Sequence, residues 1–111
     1  MKEFLDYLSA MEEKMKAEAV KLNGEERQDD ANLTKVRANV YGICKSVLQV
    51  LDANKTGETL SNLQTTWENS LRIAREHEDV KKTVIEQIKL EALEEIRAEL
   101  GRWVCENGDG V

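Results

Sequence analysis

The stretch REHEDVKK, residues 75–82, decides the fold, because it separates two segments whose apolar residues repeat like those of helices. Seven of its eight residues are charged or histidine, and only Val80 is apolar. No glycine or proline occurs between residues 58 and 100, so the octet holds no residue that forces a turn. The chain either turns here and forms four helices, or one helix continues and leaves three.

Three features favour a turn. The apolar stripe of the preceding segment would place apolar residues near positions 78 and 81, where the chain has Glu78 and Lys81. Thr83 and Glu86 then match the capping-box pattern S/T-x-x-E, just before an apolar run. A turn also gives four helices of similar length, which pack together well. We therefore predict an all-α, antiparallel up-and-down four-helix bundle.

The alternative is a continuous third helix. It would contain about 45 residues and extend roughly 68 Å at 1.5 Å per residue. The hairpin of helices 1 and 2 would cover half of that length, and another subunit would have to cover the rest. This alternative is therefore a chain of three helices, with a long helix 3/4, that forms an interlocked dimer.

The first half of the chain gives the clearest helical pattern. Helix 1 is predicted over 2–22, with Asn23-Gly24 as its stop, because both residue types tolerate the left-handed conformation. Helix 2 is predicted over 30–52 and should be the most buried helix, because two apolar stripes lie side by side on it. The regular stripe is Leu33, Val36, Val40, Ile43, Val47 and Val50, and the second is Tyr41, Cys44, Leu48 and Leu51.

Glycines mark a close contact and a second break. Gly42 costs about 1 kcal/mol relative to alanine inside a helix, which predicts a close approach by a neighbouring helix. The break after helix 2 is centred on Gly57, and helix 3 is predicted over 59–75. The apolar residues of helix 4 run from Val84 to Trp103.

Composition sets the class of protein. A chain of 111 residues forms one domain, which we predict over 1–105, followed by a disordered tail over 106–111. The absence of proline and the 34% of charged residues are typical of a helical protein. Charges recur every few residues over the first helix, which indicates neither a signal peptide nor a membrane span. We therefore expect the protein in the cytoplasm.

The charge balance disfavours several partners. The chain has 22 acidic and 16 basic residues, for a net charge of -6. Nucleic acids and anionic membranes both attract basic surfaces, so we expect neither as a partner.

One segment has the residue types of a metal site or an acid–base site. Glu76, His77 and Asp79 bring two carboxylates to the only histidine of the chain. A di-iron bundle needs Glu-x-x-His on two helices, and zinc sites need three or more protein ligands. We therefore interpret this segment as a solvated turn, and a small metal- or carboxylate-dependent enzyme built on it is an alternative function. With no P-loop, dinucleotide fingerprint or HExxH motif in the sequence, we predict no cofactor and can identify no small-molecule substrate.

The two cysteines do not form a CxxC pair, so their spacing suggests no metal site or redox motif. Cys44 lies in an apolar stripe and is predicted to be a core residue. Cys105 lies near the end of the chain and is expected to be exposed. The sequence leaves the redox state of both thiols open.

The apolar residues point to an interaction function. Catalysis needs convergent polar groups, whereas the polar residues here follow the outer faces of amphipathic helices. We predict a non-enzymatic helical interaction or structural module that binds another protein or itself as a homodimer. Tryptophan often anchors interfaces and methionine adapts to different neighbours. The residues predicted for the interface are Met11, Met15, Trp67 and Trp103.

A third function is an acidic regulator that binds a basic protein. It rests on the acidic run of helix 4, which has basic neighbours and is otherwise interpreted as a solvated face. The run consists of Glu91, Glu94, Glu95 and Glu99.

Overall fold

Four α-helices account for most of the described chain. The computed structural model describes residues 2–50 and 55–106, with side chains as far as Trp103. Within these two ranges there is no strand, and no helix is both long enough and apolar enough to cross a membrane. The helices are α1 (Lys2–Gly24), α2 (Gln28–Leu48), α3 (Thr56–Glu76) and α4 (Val80–Glu106). Their packing confirms the predicted all-α four-helix bundle.

The charged octet contains a turn, so the alternative of a continuous helix 3/4 is wrong. Glu78 takes the left-handed conformation, with φ at 54°. The amide of Asp79 donates to the carbonyl of Ala74 at 2.9 Å, and the amide of Glu78 donates to the carbonyl of Arg75 at 3.1 Å. These two bonds form a Schellman motif, which satisfies the last carbonyls of α3 without a glycine.

The start of α4 differs from the predicted capping box. Asp79 caps the helix, because its Oδ1 accepts a hydrogen bond from the amide of Lys82 at 3.0 Å. Thr83 lies inside the helix, where its hydroxyl donates to the carbonyl of Asp79 at 2.8 Å. The prediction that Thr83 and Glu86 form a capping box is therefore wrong, because aspartate caps as well as threonine and stands earlier in the chain.

The turn between α1 and α2 has the same hydrogen-bond pattern. The amide of Arg27 donates to the carbonyl of Leu22 at 2.9 Å, and the amide of Glu26 donates to the carbonyl of Asn23 at 3.2 Å. Glu26 is the left-handed residue, with φ at 60°. The stop predicted at Asn23-Gly24 is thus placed too early. Gly24 is the last residue of α1, and a glutamate occupies the left-handed position.

The connection between α2 and α3 is placed differently from the prediction. Residues 51–54, where the sequence predicts the end of helix 2, lie outside the described residues. Gly57, the predicted centre of the break, lies in the first turn of α3. At the other end of the chain, α4 includes Glu106, and the rest of the predicted tail, 107–111, lies outside the described residues.

Two helical hairpins make up the bundle. α1 packs along α2, and α3 packs along α4. α2 also lies against α4 and joins the hairpins, whereas α3 makes few contacts with α1 and α2. All four helices contribute to one core, whose largest fully buried side chains include Phe4, Leu8, Tyr41, Leu48, Leu60 and Leu93.

Gly42 lies where α1 approaches α2. A Cβ atom at this position would lie 2.6 Å from Oε2 of Glu12. The predicted close approach is therefore made by a carboxylate of α1. Such a group is the end of a flexible side chain and can move, unlike a helix backbone.

Candidate functional site

Residues 31–50 carry two apolar stripes, and the bundle fully buries the described members of one of them. This inner stripe belongs to the core through Tyr41, Cys44 and Leu48. The regularly spaced stripe, here called the outer stripe, has Val40 as its one buried member, while Ile43 is 41% exposed and Val50 is 81% exposed. α2 has more buried residues than any other helix in its described part, as predicted, yet its most regular stripe faces partly outward. The remaining members of the outer stripe are half-buried: Leu33, Val36 and Val47.

The packing of the hairpins explains why the outer stripe is open. α1 covers one side of α2, and α4 covers another. α3 packs on α4 and contributes little to α2. Within residues 2–50 and 55–106, no helix therefore fully covers Ile43 or Val50 of the outer stripe.

Two shallow depressions follow the outer stripe. The first, of about 230 Å³, lies between the early turns of α2 and α4 and has an apolar floor. It is lined by Asp29, Asn32, Leu33, Val36, Lys81, Val84 and Ile85. The second, of about 500 Å³, lies further along α2, beside α1. It is lined by Glu12, Asn39, Gly42, Ile43, Ser46 and Val47.

The charge of this surface differs from that of the rest of the molecule. Residues 31–50 contain three basic residues and no acidic one, although the whole chain has 22 acidic residues. The cores of protein interfaces are depleted in charged residues, so this composition is typical of a docking surface. We call it the α2 outer face and define it by Asn32, Leu33, Lys35, Val36, Asn39, Ile43, Ser46 and Val47, together with Val50, which lies two residues after the end of α2.

The four residues predicted for an interface lie on three other helices. Met11, Met15 and Trp103 are half-buried against the core, and Trp67 is 7% exposed. The indole N–H of Trp103 donates to Oε2 of Glu3 at 3.2 Å, which ties the end of α4 to the start of α1. None of the four belongs to the α2 outer face, and their part in docking stays a prediction.

Sequence reasoning missed the α2 outer face because its stripe has the spacing expected of a core. A stripe of this regularity fits a helix partner in the same chain and one in another chain equally well. The lack of any acidic residue over residues 31–50 is the signal in the sequence that distinguishes this helix from the others.

Cys44 is fully buried, which confirms that it is a core residue. Burial raises the pKa of its thiol from 9.0 to about 12. The thiol is therefore protonated and weakly nucleophilic at neutral pH. The side chain of Cys105 lies outside the described residues, so its exposure stays a prediction.

Glu76, His77 and Asp79, the residues of the alternative metal or acid–base site, have structural roles in the turn. Glu76 pairs with Arg72 at 2.7 Å, Asp79 caps α4, and His77 is the C-terminal cap of α3. In the part of the chain that the structure describes, no group of three or more metal-ligating side chains is arranged to hold an ion.

The sequence analysis also missed a buried ion pair in the second hairpin. Glu86 is 3% exposed, and its carboxylate lies 2.7 Å from Nζ of Lys89. The same ammonium lies 5.1 Å from the centre of the Trp67 ring, within range of a cation–π interaction. The second carboxylate oxygen also accepts from Lys89, at 3.1 Å, so the pair is internally satisfied. The sequence does not indicate that Glu86 is buried, because Glu86 fits the capping-box pattern of a helix start.

A polar network joins α2 to α4. The hydroxyl of Tyr41 donates to Oε2 of Glu95 at 3.1 Å. The guanidinium of Arg37 lies 3.5 Å from Glu95 and 3.9 Å from Glu91. Burial, reinforced by the nearby carboxylate, raises the pKa of Tyr41. The network thus pairs two carboxylates of the acidic run on α4 with a base of the same chain.

The geometry offers one surface with the composition of a docking site, together with two polar clusters whose members satisfy one another. Comparisons with protein-family models, with curated proteins and with solved structures find no match to this chain.

Proposed function

We propose that this protein is a non-enzymatic helical interaction module and that the α2 outer face is its docking surface. The observation that carries the proposal is the exposure of the outer stripe. Apolar residues spaced three and four apart pack against a partner helix in coiled coils. Exposed apolar surface on a segment with few charged residues is typical of an interaction site.

The binding mode follows from the shape of this surface. An amphipathic helix of the partner lies along α2 and places apolar residues against Ile43 and Val47. The groove between α2 and α4 receives further apolar side chains, and Asp29 and Lys81 at its rim contact polar ones. Complete burial of one valine or isoleucine contributes about 1.5–3 kcal/mol, so a few such residues supply most of the affinity. We propose that this binding takes place in the cytoplasm, which cell fractionation checks.

Site-specific photo-crosslinking in the cells that make the protein tests the proposal. A benzophenone amino acid replaces Ile43 in one variant and Val20 in a control variant. Val20 is a matched position because it is an apolar residue of α1 that is 74% exposed. We expect a covalent adduct from position 43 and none from position 20.

Far-UV circular dichroism of both purified variants shows whether they retain the fold. The absence of any adduct from position 43 in the folded variant, at the natural level of expression, would contradict the proposal. Mass spectrometry of the adduct distinguishes capture of a second copy from capture of a different protein.

A further inference from the structure

We infer that α3 is a lid, which opens as a unit while α1, α2 and α4 stay folded. The inference is independent of the proposed function, because α3 contributes no residue to the α2 outer face. It is drawn from three properties of α3: its sequence, its packing and the polar groups that are buried with it.

The sequence of α3 forms a helix poorly by itself. Nine of its 21 residues are glycine, serine, threonine or asparagine, compared with three of 23 in α1, five of 21 in α2 and two of 27 in α4. These residue types rank low in helix propensity. The hydroxyls of Thr65 and Thr66 also donate to the carbonyls one turn earlier, at 3.1 Å and 3.0 Å, a contact that slightly destabilises a helix. α3 therefore depends on its packing to remain helical.

The packing of α3 is confined to one neighbour. α3 packs on α4 and makes few contacts with α1 and α2, whereas α2 packs against both α1 and α4. The buried residues of α3 also form a single line along the helix, with spacings of four, seven and seven: Thr56, Leu60, Trp67 and Ala74. Separation of α3 from α4 thus leaves the α1/α2 and α2/α4 contacts in place.

Polar contacts hold the other three helices together. The hydroxyl of Tyr41 donates to Glu95 at 3.1 Å and joins α2 to α4. The indole of Trp103 donates to Glu3 at 3.2 Å and joins α4 to α1. These contacts do not involve α3, so they persist when α3 opens.

α3 has weaker links to the rest of the bundle. Gln64 accepts a hydrogen bond from Arg97 of α4, and the ring of Trp67 lies 5.1 Å from the ammonium of Lys89. Among the side chains that the structure describes, no ion pair joins α3 to another helix. Leu60 and Trp67 therefore supply most of the attachment, through apolar burial.

α3 carries one buried polar group and lies near another. The hydroxyl of Thr56 is buried and has no hydrogen-bond partner within residues 2–50 and 55–106, so opening restores its contact with water. Glu86 is also buried, and its partner Lys89 lies on the same helix. The Glu86–Lys89 pair therefore stays together when α3 leaves, and both groups regain water.

The lid controls access to the core. In the closed state Leu60 and Trp67 lie in one cluster with Leu93 of α4, which is fully buried. Opening removes the two α3 residues from that cluster and uncovers apolar surface on α4. The open state is a three-helix body with a second apolar face, distinct from the α2 outer face.

Native-state hydrogen exchange, followed by NMR for each amide at low urea concentrations, tests the lid. The amides of Leu60, Trp67 and Ala74 should share one protection factor, at least about 10-fold below those of Tyr41 and Leu93. The urea dependence of their exchange should also be smaller than that of global unfolding, because opening exposes only part of the surface.

Two matched substitutions separate lid opening from global unfolding. Glu13 of α1 and Glu68 of α3 are both exposed residues in the interior of a helix, so glycine should weaken each helix to a similar extent. Glu13→Gly should lower the protection of Tyr41 and Leu93 about fivefold and leave the α3 amides unchanged, because α1 is folded in both the closed and the open state. Glu68→Gly should lower the protection of the α3 amides by about the same factor.

Each result supports or overturns the inference. Equal protection of Leu60 and Tyr41 overturns it, since α3 then opens only with the whole protein, and a loss of α3 protection in Glu13→Gly has the same meaning. Protection of Leu93 as low as that of Leu60 means that α3 and α4 open together and also overturns the lid. Unchanged α3 protection in Glu68→Gly means that these amides exchange by local fluctuations, which overturns opening as a unit.

Discussion

The α1/α2 hairpin and the α3/α4 hairpin turn in the same way. Both turns are Schellman motifs, and a glutamate takes the left-handed position in each, Glu26 in the first and Glu78 in the second. When the two hairpins are aligned on these glutamates, Leu8 coincides with Leu60, and both leucines are fully buried. The two hairpins thus share a turn and a register of burial despite having few identical residues.

The core residues correspond in burial but not in chemistry. Tyr41 aligns with Leu93 and Cys44 aligns with Ile96, and all four are buried. The first hairpin therefore holds two titratable groups where the second holds aliphatic ones. Their shared burial shows that position in the hairpin, rather than residue type, decides which side chains the bundle encloses.

The polar contacts differ most. Arg37 of the first hairpin reaches from α2 to carboxylates on α4 and links the hairpins. The corresponding residue of the second hairpin, Lys89, stays within its own hairpin, where it contacts Glu86 and Trp67. A common backbone arrangement therefore accommodates different polar groups at these corresponding positions, and both cations are paired with carboxylates.

The largest expected effect tests whether the hairpins are equivalent in the core. Leu8→Ala and Leu60→Ala each create a cavity at a fully buried position, and each should lower the free energy of unfolding by about 3 kcal/mol. Urea denaturation measures both. An exposed control, Val20→Ala, should stay within about 0.5 kcal/mol of the wild type. If one leucine variant loses less than half the unfolding free energy that the other loses, the two hairpins are not equivalent.

The next-largest effect tests the difference in polar contacts between the two hairpins. Lys89→Met leaves the Glu86 carboxylate buried without its partner and should cost about 2 kcal/mol. Arg37→Met removes partly exposed ion pairs and should cost less than about 1 kcal/mol. The double variant Glu86→Leu/Lys89→Met should recover the stability of the wild type, since no buried charge remains. Equal costs for the two single variants would contradict the contrast between the hairpins.

The third effect concerns alkaline pH. The folded state holds the Cys44 proton up to a pKa of about 12, whereas the unfolded thiol releases it near 9.0. The contribution of Cys44 to stability is therefore constant below pH 9 and falls above it, by about 2 kcal/mol at pH 10.5. Cys44→Val, which imitates the aliphatic residue at position 96, should remove this part of the pH dependence in urea titrations at pH 8 to 10.5. An unchanged slope in that variant would rule out Cys44 as its source.

The smallest effect tests what the two turns share. Glu26→Gly and Glu78→Gly each relieve a left-handed residue that carries a side chain and should raise the free energy of unfolding by about 0.5–1 kcal/mol. Glu13→Gly, in the exposed interior of α1, should lower it by about 1 kcal/mol. A gain at only one of the two turns would show that the turns differ in strain.

The limits of prediction follow from how far each signal reaches along the chain. The turn at residues 75–82 is predictable because polar residues interrupt an apolar period within a few positions. The capping residue of α4 is harder to predict. Asp79 and Thr83 can both cap a helix, and only the completed turn selects Asp79. The Glu86–Lys89 pair is harder still to predict from the sequence, because its burial depends on where Trp67 of α3 is placed.

The sequence by itself determines the helical content, the division at the charged octet and the place of Cys44 in an apolar face, because these depend on spacing and turn chemistry within a few residues. The tertiary structure decides which stripe of α2 faces the core. Both stripes are apolar and adjacent, and each lies on a continuous helical surface. Because α3 packs on α4 and leaves one side of α2 uncovered, the core encloses Tyr41 and Cys44, and Ile43 and Val50 remain at the surface.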